Sequence, residues 1–184
     1  VQLASEGLAD ALFLMAPVTR NIDEVLTYQF TQWPVSLLKK NRKSFSRIKA
    51  PIMGAELSAL DADKNGKISD IEIESGYSAF YGQIRGLLET PAFKGWYESL
   101  VAMPPFASVV KDITVPVHVY VAGNDAQVNP EWIKSDVKHL KNAKLKVFKG
   151  LGHCFAPMDG VIGEIKTTGP IADDVLNAIA SDAA

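Results

Sequence analysis

The stretch "VPVHVYVAGNDAQV", Val115 to Val128, decides how this chain folds. It is rich in β-branched residues and ends in Gly-Asn-Asp, which predicts a strand running into a loop. Two other stretches share that form. "ALFLMAPV", Ala11 to Val18, is a dense apolar strand over Ala11 to Ala16, closed by Pro17. "AKLKVFKGLGHCF", Ala143 to Phe155, is a strand followed by a loop. A strand apolar on both faces, as Ala11 to Ala16 is, belongs inside a parallel sheet. Length and flanking residues set this reading against a buried helix. Helices separate and follow the strands. "NPEWIKSDVKHLKN" has Asn129 as cap, Pro130 at the first position and Glu131 in the first turn. "GPIADDVLNAIASDAA" reads as a final amphipathic helix, and Gly7 fits the end of a helix that precedes the first strand.

Residues 21 to about 110 read as mostly helical. Ile22, Val25, Leu26 and Phe30 fall at helical spacing, with Asn21 as cap, Glu24 at the third helical position and Pro34 as an interruption. "NRKSFSRIK", Asn41 to Lys49, is a basic, polar loop or solvated face. "YSAFYGQIRGLLETPAFKGWYESLVAMPPF" is aromatic-rich and helical, punctuated by Gly82, Gly86, Pro91, Pro104 and Pro105. The order strand, helical block, strand, helix, strand, helix predicts an α/β fold. Its parallel sheet has right-handed crossovers and a large insertion after the first strand. The expected divisions are 1–20 with 111–184 for the core and 21–110 for the insertion.

Composition narrows the function classes. A chain of 184 residues, 47% hydrophobic, is long and apolar enough to bury a core. A net charge of −2 without a basic block argues against nucleic acid. The longest apolar run, Ala11 to Val18, is far too short to span a membrane. The single cysteine, Cys154, excludes an intrachain disulfide and reads as a small buried residue rather than a nucleophile. Because the sequence opens on Val1, its true N-terminus is expected to have been removed or to lie elsewhere.

"DADKNGKISDIE", Asp61 to Glu72, has the spacing of an EF-hand calcium loop. Calcium takes about six to eight hard oxygen ligands around a tight turn. Asp61, Asp63 and Asn65 occupy loop positions 1, 3 and 5, and Gly66 supplies the turn. Lys67 contributes its carbonyl, Ser69 a hydroxyl or a water contact, and Glu72 a bidentate carboxylate, while Ile68 packs inward. "AELSAL" suits the entering helix and "IEIESGYSAF" the exiting one. No second loop pairs with it: "GNDAQVNPEW" lacks the glycine, and "APMDGVIGEI" has too few oxygens. A single loop favours a structural ion over a calcium-triggered opening. An acidic turn that binds no metal is the alternative. A calcium loop tilts the otherwise open question of compartment toward an extracytoplasmic location.

Two loops carry candidate catalytic groups, because such groups gather at the carboxyl ends of parallel strands. Asp125 lies in "VAGNDAQV" and His153 in "GLGHCFAP". An acid after one strand and a histidine after the next form the second half of a Ser-Asp-His order. In that arrangement His153 takes the serine proton and Asp125 orients the imidazole. Asp23 is a weaker alternative acid. His118 and His139 read as structural, the first mid-strand and the second mid-helix. Tyr28, Phe30, Trp33, Phe80, Tyr81, Phe93, Trp96 and Tyr97 read as helix packing, with an acyl-binding cleft as the alternative.

With these motifs in order, the chain resembles the C-terminal half of an α/β-hydrolase. "ADALFLMAP" resembles the sixth sheet strand, "VPVHVYVAGNDAQV" the seventh with its acid loop, and "LKVFKGLGHCF" the eighth with its histidine loop. The insertion stands where that family places a helical cap. The resemblance implies an α/β fold with the last three strands of the sheet and a cap that holds the EF-hand-like loop. It implies a serine hydrolase acting on an ester, a related acyl bond or a small peptide. The departure is the nucleophile: "GYSAF" around Ser78 lacks the second glycine and lies in a helix. The serine is therefore expected upstream of Val1, in a missing N-terminal half, and the fragment is expected to be inactive alone. A calcium-dependent structural or interaction module without catalysis is the competing reading. Exposed sheet edges lead to the expectation of a homodimer.

Overall fold

The computed structural model describes residues 2–41, 52, 55–158 and 169–184. Of the stretch read above as a basic loop, Asn41 to Lys49, all but Asn41 lies outside the described residues, as does 159–168. In chain order the elements are α1 (Gln2–Ser5), β1 (Leu12–Met15), α2 (Ile22–Thr27), a π-helical turn (Tyr28–Gln32) and α3 (Trp33–Lys40). A 3-10 turn (Leu57–Leu60), α4 (Asp70–Leu88), α5 (Lys94–Val101) and α6 (Phe106–Val110) follow. The chain ends with β2 (Val117–Ala122), α7 (Pro130–Asp136), a second 3-10 turn (Val137–His139), β3 (Ala143–Phe148) and α8 (Asp173–Ala183). Two compact units result: Val1–Asn21 with Met103–Ala184, and Ile22–Ala102.

The first unit is built on a parallel sheet in the order β1-β2-β3, so the α/β class and the three-stranded parallel sheet both hold. Leu12 pairs with Val117 and Met15 with Tyr120; Val117 pairs with Ala143 and Ala122 with Phe148. Every residue of the central β2 is buried, as a strand covered on both faces requires. Side chains alternate between faces along a strand. Val117, Val119 and Val121 accordingly join Val128, Ile133, Val137 and Leu140 in one core. Tyr120 and Ala122 join Phe148, Leu151, Phe155, Val175 and Ala178 in another, which α8 covers.

β1 is shorter than the sequence suggests. It stops at Met15, and Ala16 turns out of the strand at φ 42°, one residue before Pro17. After α1, Gly7 adopts φ 73°, and the Leu8 N–H donates to the Leu3 carbonyl at 2.8 Å, closing the helix in a left-handed cap.

The segment after β1 is tied to the end of α7. Thr19 Oγ1 donates to Asp136 Oδ2 at 2.7 Å, and Arg20 Nη2 donates to Oδ1 at 3.1 Å. Arg20 Nε lies 3.0 Å from Oδ2. Asp136 sits on the buried side of α7, next to Val137 and one turn from Ile133. A charge in that position is stable only when its oxygens are matched in this way.

The second unit is helical. Pro34 does not interrupt it: α2, the π turn and α3 follow one another directly, with Pro34 in the first turn of α3. The wider turn before it and a first-turn place absorb the missing N–H. Leu26, Leu88 and Tyr97 form a core with Ile22, Phe30 and Tyr81. Tyr77, fully buried in α4, donates to the Ile52 carbonyl at 3.1 Å, and burial pushes its phenol well above the ordinary range. Gly76 leaves room for Leu60, since a Cβ there would meet Leu60 Cδ2 at 2.3 Å. Among the described residues no helix is long and apolar enough to cross a membrane.

Asp136→Ala strands Thr19 and Arg20 without their shared acceptor. The expected loss is about 1–3 kcal/mol of unfolding free energy, read by urea denaturation. An unchanged midpoint would refute the tie.

Candidate functional site

The loops that leave β2 and β3 are stitched to each other through their backbones. The Gly123 N–H donates to the Phe148 carbonyl at 2.8 Å, and the Asn124 N–H donates to the Leu151 carbonyl at 3.0 Å. Glycine suits this close approach. A Cβ at Gly123 would lie 3.1 Å from the Phe148 oxygen and 3.2 Å from Lys149 Cα.

Asp125 follows and is 1% exposed. Its Oδ1 accepts the N–H groups of Gln127 at 2.7 Å and Val128 at 2.9 Å. Its Oδ2 lies 2.9 Å from His153 Nδ1. α7 starts immediately afterwards, with Asn129 Oδ1 accepting the Glu131 N–H at 2.9 Å, as the capping pattern predicts.

His153 sits in a tight loop. The Phe155 N–H donates to the Gly152 carbonyl at 2.7 Å, the Gly152 N–H donates to the Ala156 carbonyl at 3.0 Å, and Leu151 bridges Pro157. Phe155 holds φ 58°, a left-handed conformation unusual for a bulky residue. Its ring is buried edge-on against Phe148, with centroids 6.1 Å apart. The His153 side chain is 29% exposed. A carboxylate at Nδ1 keeps the imidazole proton there and puts the lone pair on Nε2, the arrangement a general base requires.

The other candidates fall elsewhere. Cys154 is exposed, contrary to its reading as a small buried residue. Phe155 fills the core instead, so its neighbour Cys154 is left on the surface of the turn. His118 is buried in β2 and stacks on Phe13 at 5.0 Å. His139 lies in the 3-10 turn after α7 rather than in mid-helix. Ser78 is an exposed residue in the middle of α4, with no strand-to-helix turn around it. Asp23 is held by Arg85 and Tyr97 within the helical unit. Of the aromatic residues, Tyr28 and Tyr97 are buried, while Phe93 and Trp96 are about half exposed.

In the acidic loop, Asp61, Asp63 and Glu72 each present an oxygen, all within 4.8 Å of one another. Asp61 accepts the N–H groups of Asn65 at 3.1 Å and Gly66 at 2.9 Å. Asn65 Oδ1 accepts the Lys67 N–H at 2.8 Å, and Gly66 takes φ 78°. The entering segment is a single 3-10 turn, Leu57–Leu60, rather than a helix.

Ser69 and Glu72 also form a capping box on α4. Ser69 Oγ accepts the Glu72 N–H at 3.2 Å, and Glu72 Oε2 accepts the Ser69 N–H at 2.8 Å. "SDIE" carries that signature in the sequence, on two of the residues expected to hold a metal. The Ser69 backbone N–H, and then its hydroxyl, hold the Glu72 carboxyl below the ordinary carboxylate range. All the donors of Asp61, Asp63, Asn65, Lys67, Ser69 and Glu72 in the expected set are oxygens, which suits a hard cation.

No protein-family model and no curated protein matches this chain. Three solved structures are similar to it in part. A proposed non-heme bromoperoxidase from Mycobacterium tuberculosis H37Rv is 12% identical with a TM-score of 0.45, over 98% of this chain and 59% of that one. A hydrolase from Oleispira antarctica is 12% identical with a TM-score of 0.41, over 96% and 58%. An alpha/beta hydrolase enzyme from a Medee basin deep-sea metagenome library is 14% identical with a TM-score of 0.42, over 94% and 62%. The chain spans about three fifths of the length of these proteins. At such scores and identities the functional reading rests on the site geometry alone.

Glu72 gives a pH signature. Its folded-state value is depressed, so its contribution is complete above the ordinary value of 4.5 and is lost as pH falls through the lower folded value. Melting temperatures of the wild type and Glu72→Gln should differ most at neutral pH and converge in acid. A gap that stays constant with pH would contradict the assignment.

Proposed function

We propose that this chain carries the acid and the base of a Ser-Asp-His hydrolase acting on an ester or related acyl bond. The observation that carries the reading is the 2.9 Å contact between the buried Asp125 carboxylate and His153 Nδ1. Both groups stand on adjacent loops at the carboxyl ends of neighbouring parallel strands. In the proposed reaction His153 Nε2 takes the proton of a serine hydroxyl as the serine oxygen attacks the acyl carbon. The imidazolium, stabilised by Asp125, then passes that proton to the leaving alcohol or amine. Water repeats the sequence to release the acid. A small-peptide peptidase would use the same groups.

The nucleophile in this reading is a serine on a segment N-terminal to Val1, seated in the same sheet. Among the described residues β1 has β2 as its one strand neighbour, and Phe13 and Met15 leave apolar surface along it, which supports that placement. The homodimer remains a proposal. It applies to this chain alone, through the β1 edge, since exposed Lys144 and Lys146 direct pairing away from the β3 edge.

We also propose that the acidic loop binds one calcium ion with a structural role. The convergence of Asp61, Asp63 and Glu72 and the left-handed Gly66 support it. Asp61, Asp63, Asn65, Ser69 and Glu72 would hold the ion with the Lys67 carbonyl, and the bound charge would offset the repulsion among the carboxylates.

In the natural protein that includes this sequence, Asp125→Asn should lower the rate of p-nitrophenyl ester hydrolysis by about 10⁴-fold, and His153→Ala by about 10⁶-fold. Variants that keep the wild-type rate would sink the reading. Saturating calcium should raise the melting temperature relative to chelator, in line with about 2–3 kcal/mol of added stability at a hundredfold excess over Kd, and Asp61→Asn should remove the shift. If calcium leaves the wild type unmoved, the loop holds no ion.

A further inference from the structure

On the face of the sheet beneath α8 the central strand carries two polar side chains, and Lys144 and Lys146 of β3 pair in register with them. His118 and Tyr120 project from the central strand on the side that Val175 and Ala178 cover. Both converge on one group in the last turn of α8. Tyr120 Oη donates to Asp182 Oδ2 at 2.8 Å, and His118 Nδ1 lies 3.3 Å from the same oxygen, within ion-pair reach but without hydrogen-bond alignment. The Tyr120 hydrogen bond, with His118 and Lys144 nearby, holds the Asp182 carboxyl below its ordinary range. Burial and then the Asp182 contact push the Tyr120 phenol up to about 12. Phenylalanine would fill the Tyr120 position equally well on packing grounds, so the hydroxyl contributes a specific anchor rather than volume.

The other end of α8 reaches the histidine loop. The Ala172 N–H, at the start of the helix, donates to the Phe155 carbonyl at 2.9 Å. Val175, fully buried, packs in the same cluster as Phe155 and Leu151. Phe155 is the residue in left-handed backbone, two positions after His153. A non-glycine residue persists at such a φ only where its surroundings over-determine it. The surroundings here are the Gly152 carbonyl, the Phe148 ring and the start of α8.

We propose that α8 is a clamp for His153. Asp182, anchored on Tyr120, fixes the helix, and the helix holds Phe155 in the strained conformation that sets the part-exposed His153 against Asp125. Tyr120 and Asp182 are positioning residues: they act through the loop and touch no reacting atom. The inference rests on the Asp–His reading but not on any measured activity.

The test reads the imidazole directly. Ring nitrogen chemical shifts of His153 report its tautomer, and amide hydrogen exchange at Ala172 reports the docking of α8. In the wild type His153 should show a single Nδ1–H form. Tyr120→Phe, which removes one oxygen, and Asp182→Asn should both speed exchange at Ala172 by about tenfold and mix the two tautomers. Circular dichroism should show the fold retained. Tautomer mixing with faster exchange supports the clamp. An unchanged His153 ring in both variants overturns it, whether or not α8 loosens. If the natural protein that carries this sequence hydrolyses no acyl substrate while the tautomer change persists, the proposed function fails and the clamp stands.

Discussion

A single carboxylate organises the carboxyl end of this sheet. Asp125 is buried, and an unpaired charge in such a place costs far more than a small domain can spare. Both of its oxygens are therefore matched: Oδ1 by two backbone N–H groups of its own loop, Oδ2 by His153. Each match constrains something larger. The two N–H bonds wind the acid loop into the start of α7. The His153 contact requires the third strand's loop to come within reach, and Gly123 eases that approach, because a Cβ there would crowd the Phe148 carbonyl oxygen and Lys149 Cα at 3.1 and 3.2 Å. The chemistry proposed for the pair follows from the same constraint, because the interaction that makes a buried charge tolerable also fixes the histidine tautomer.

Much of this architecture was legible in the sequence, for physical reasons that can be named. The central strand stood out because a parallel sheet needs apolar residues on both faces, and Val117 to Ala122 supplies them, whereas β3 alternates lysines with apolar residues and β1 leaves Phe13 and Met15 partly exposed. α7 was marked by Asn129 and Pro130, whose capping chemistry is local. Asp125 and His153 were legible because each follows a strand, where loops converge in α/β folds. What could not be read depends on pairs far apart in the chain. Thr19 and Arg20 meet Asp136 across more than a hundred residues. The one available signal was an acid on the apolar side of α7, next to Val137. Tyr120 and His118 looked like ordinary strand residues until Asp182 arrived from the last helix. The left-handed Ala16 and Phe155 are imposed by tertiary contacts and leave no mark in composition. Cys154 was misjudged for the same reason, since only the fold decides whether it or Phe155 turns inward.

The helical unit follows a different logic. Its buried residues include Leu38, Ile73 and Tyr77 beside Leu26, Leu88 and Tyr97, and its Asp23–Arg85 ion pair is partly exposed. The acidic loop within it is organised by its own backbone: Asp61 and Asn65 accept N–H groups a few residues on, and Glu72 bends back to Ser69. This order needs no distant partner, and the segment that enters it is a 3-10 turn where the sequence predicts a helix. The residues that shape the turn are the same ones whose oxygens would hold a cation.

The claim at the centre is that His153, set by Asp125, activates a serine. A fluorophosphonate probe, which bonds covalently to an activated serine hydroxyl, tests it in the natural protein that carries this sequence. Mass spectrometry should locate one modified serine, and labelling should vanish in His153→Ala while the fold is retained. Absence of labelling in the wild type, or labelling that does not depend on His153, would contradict it.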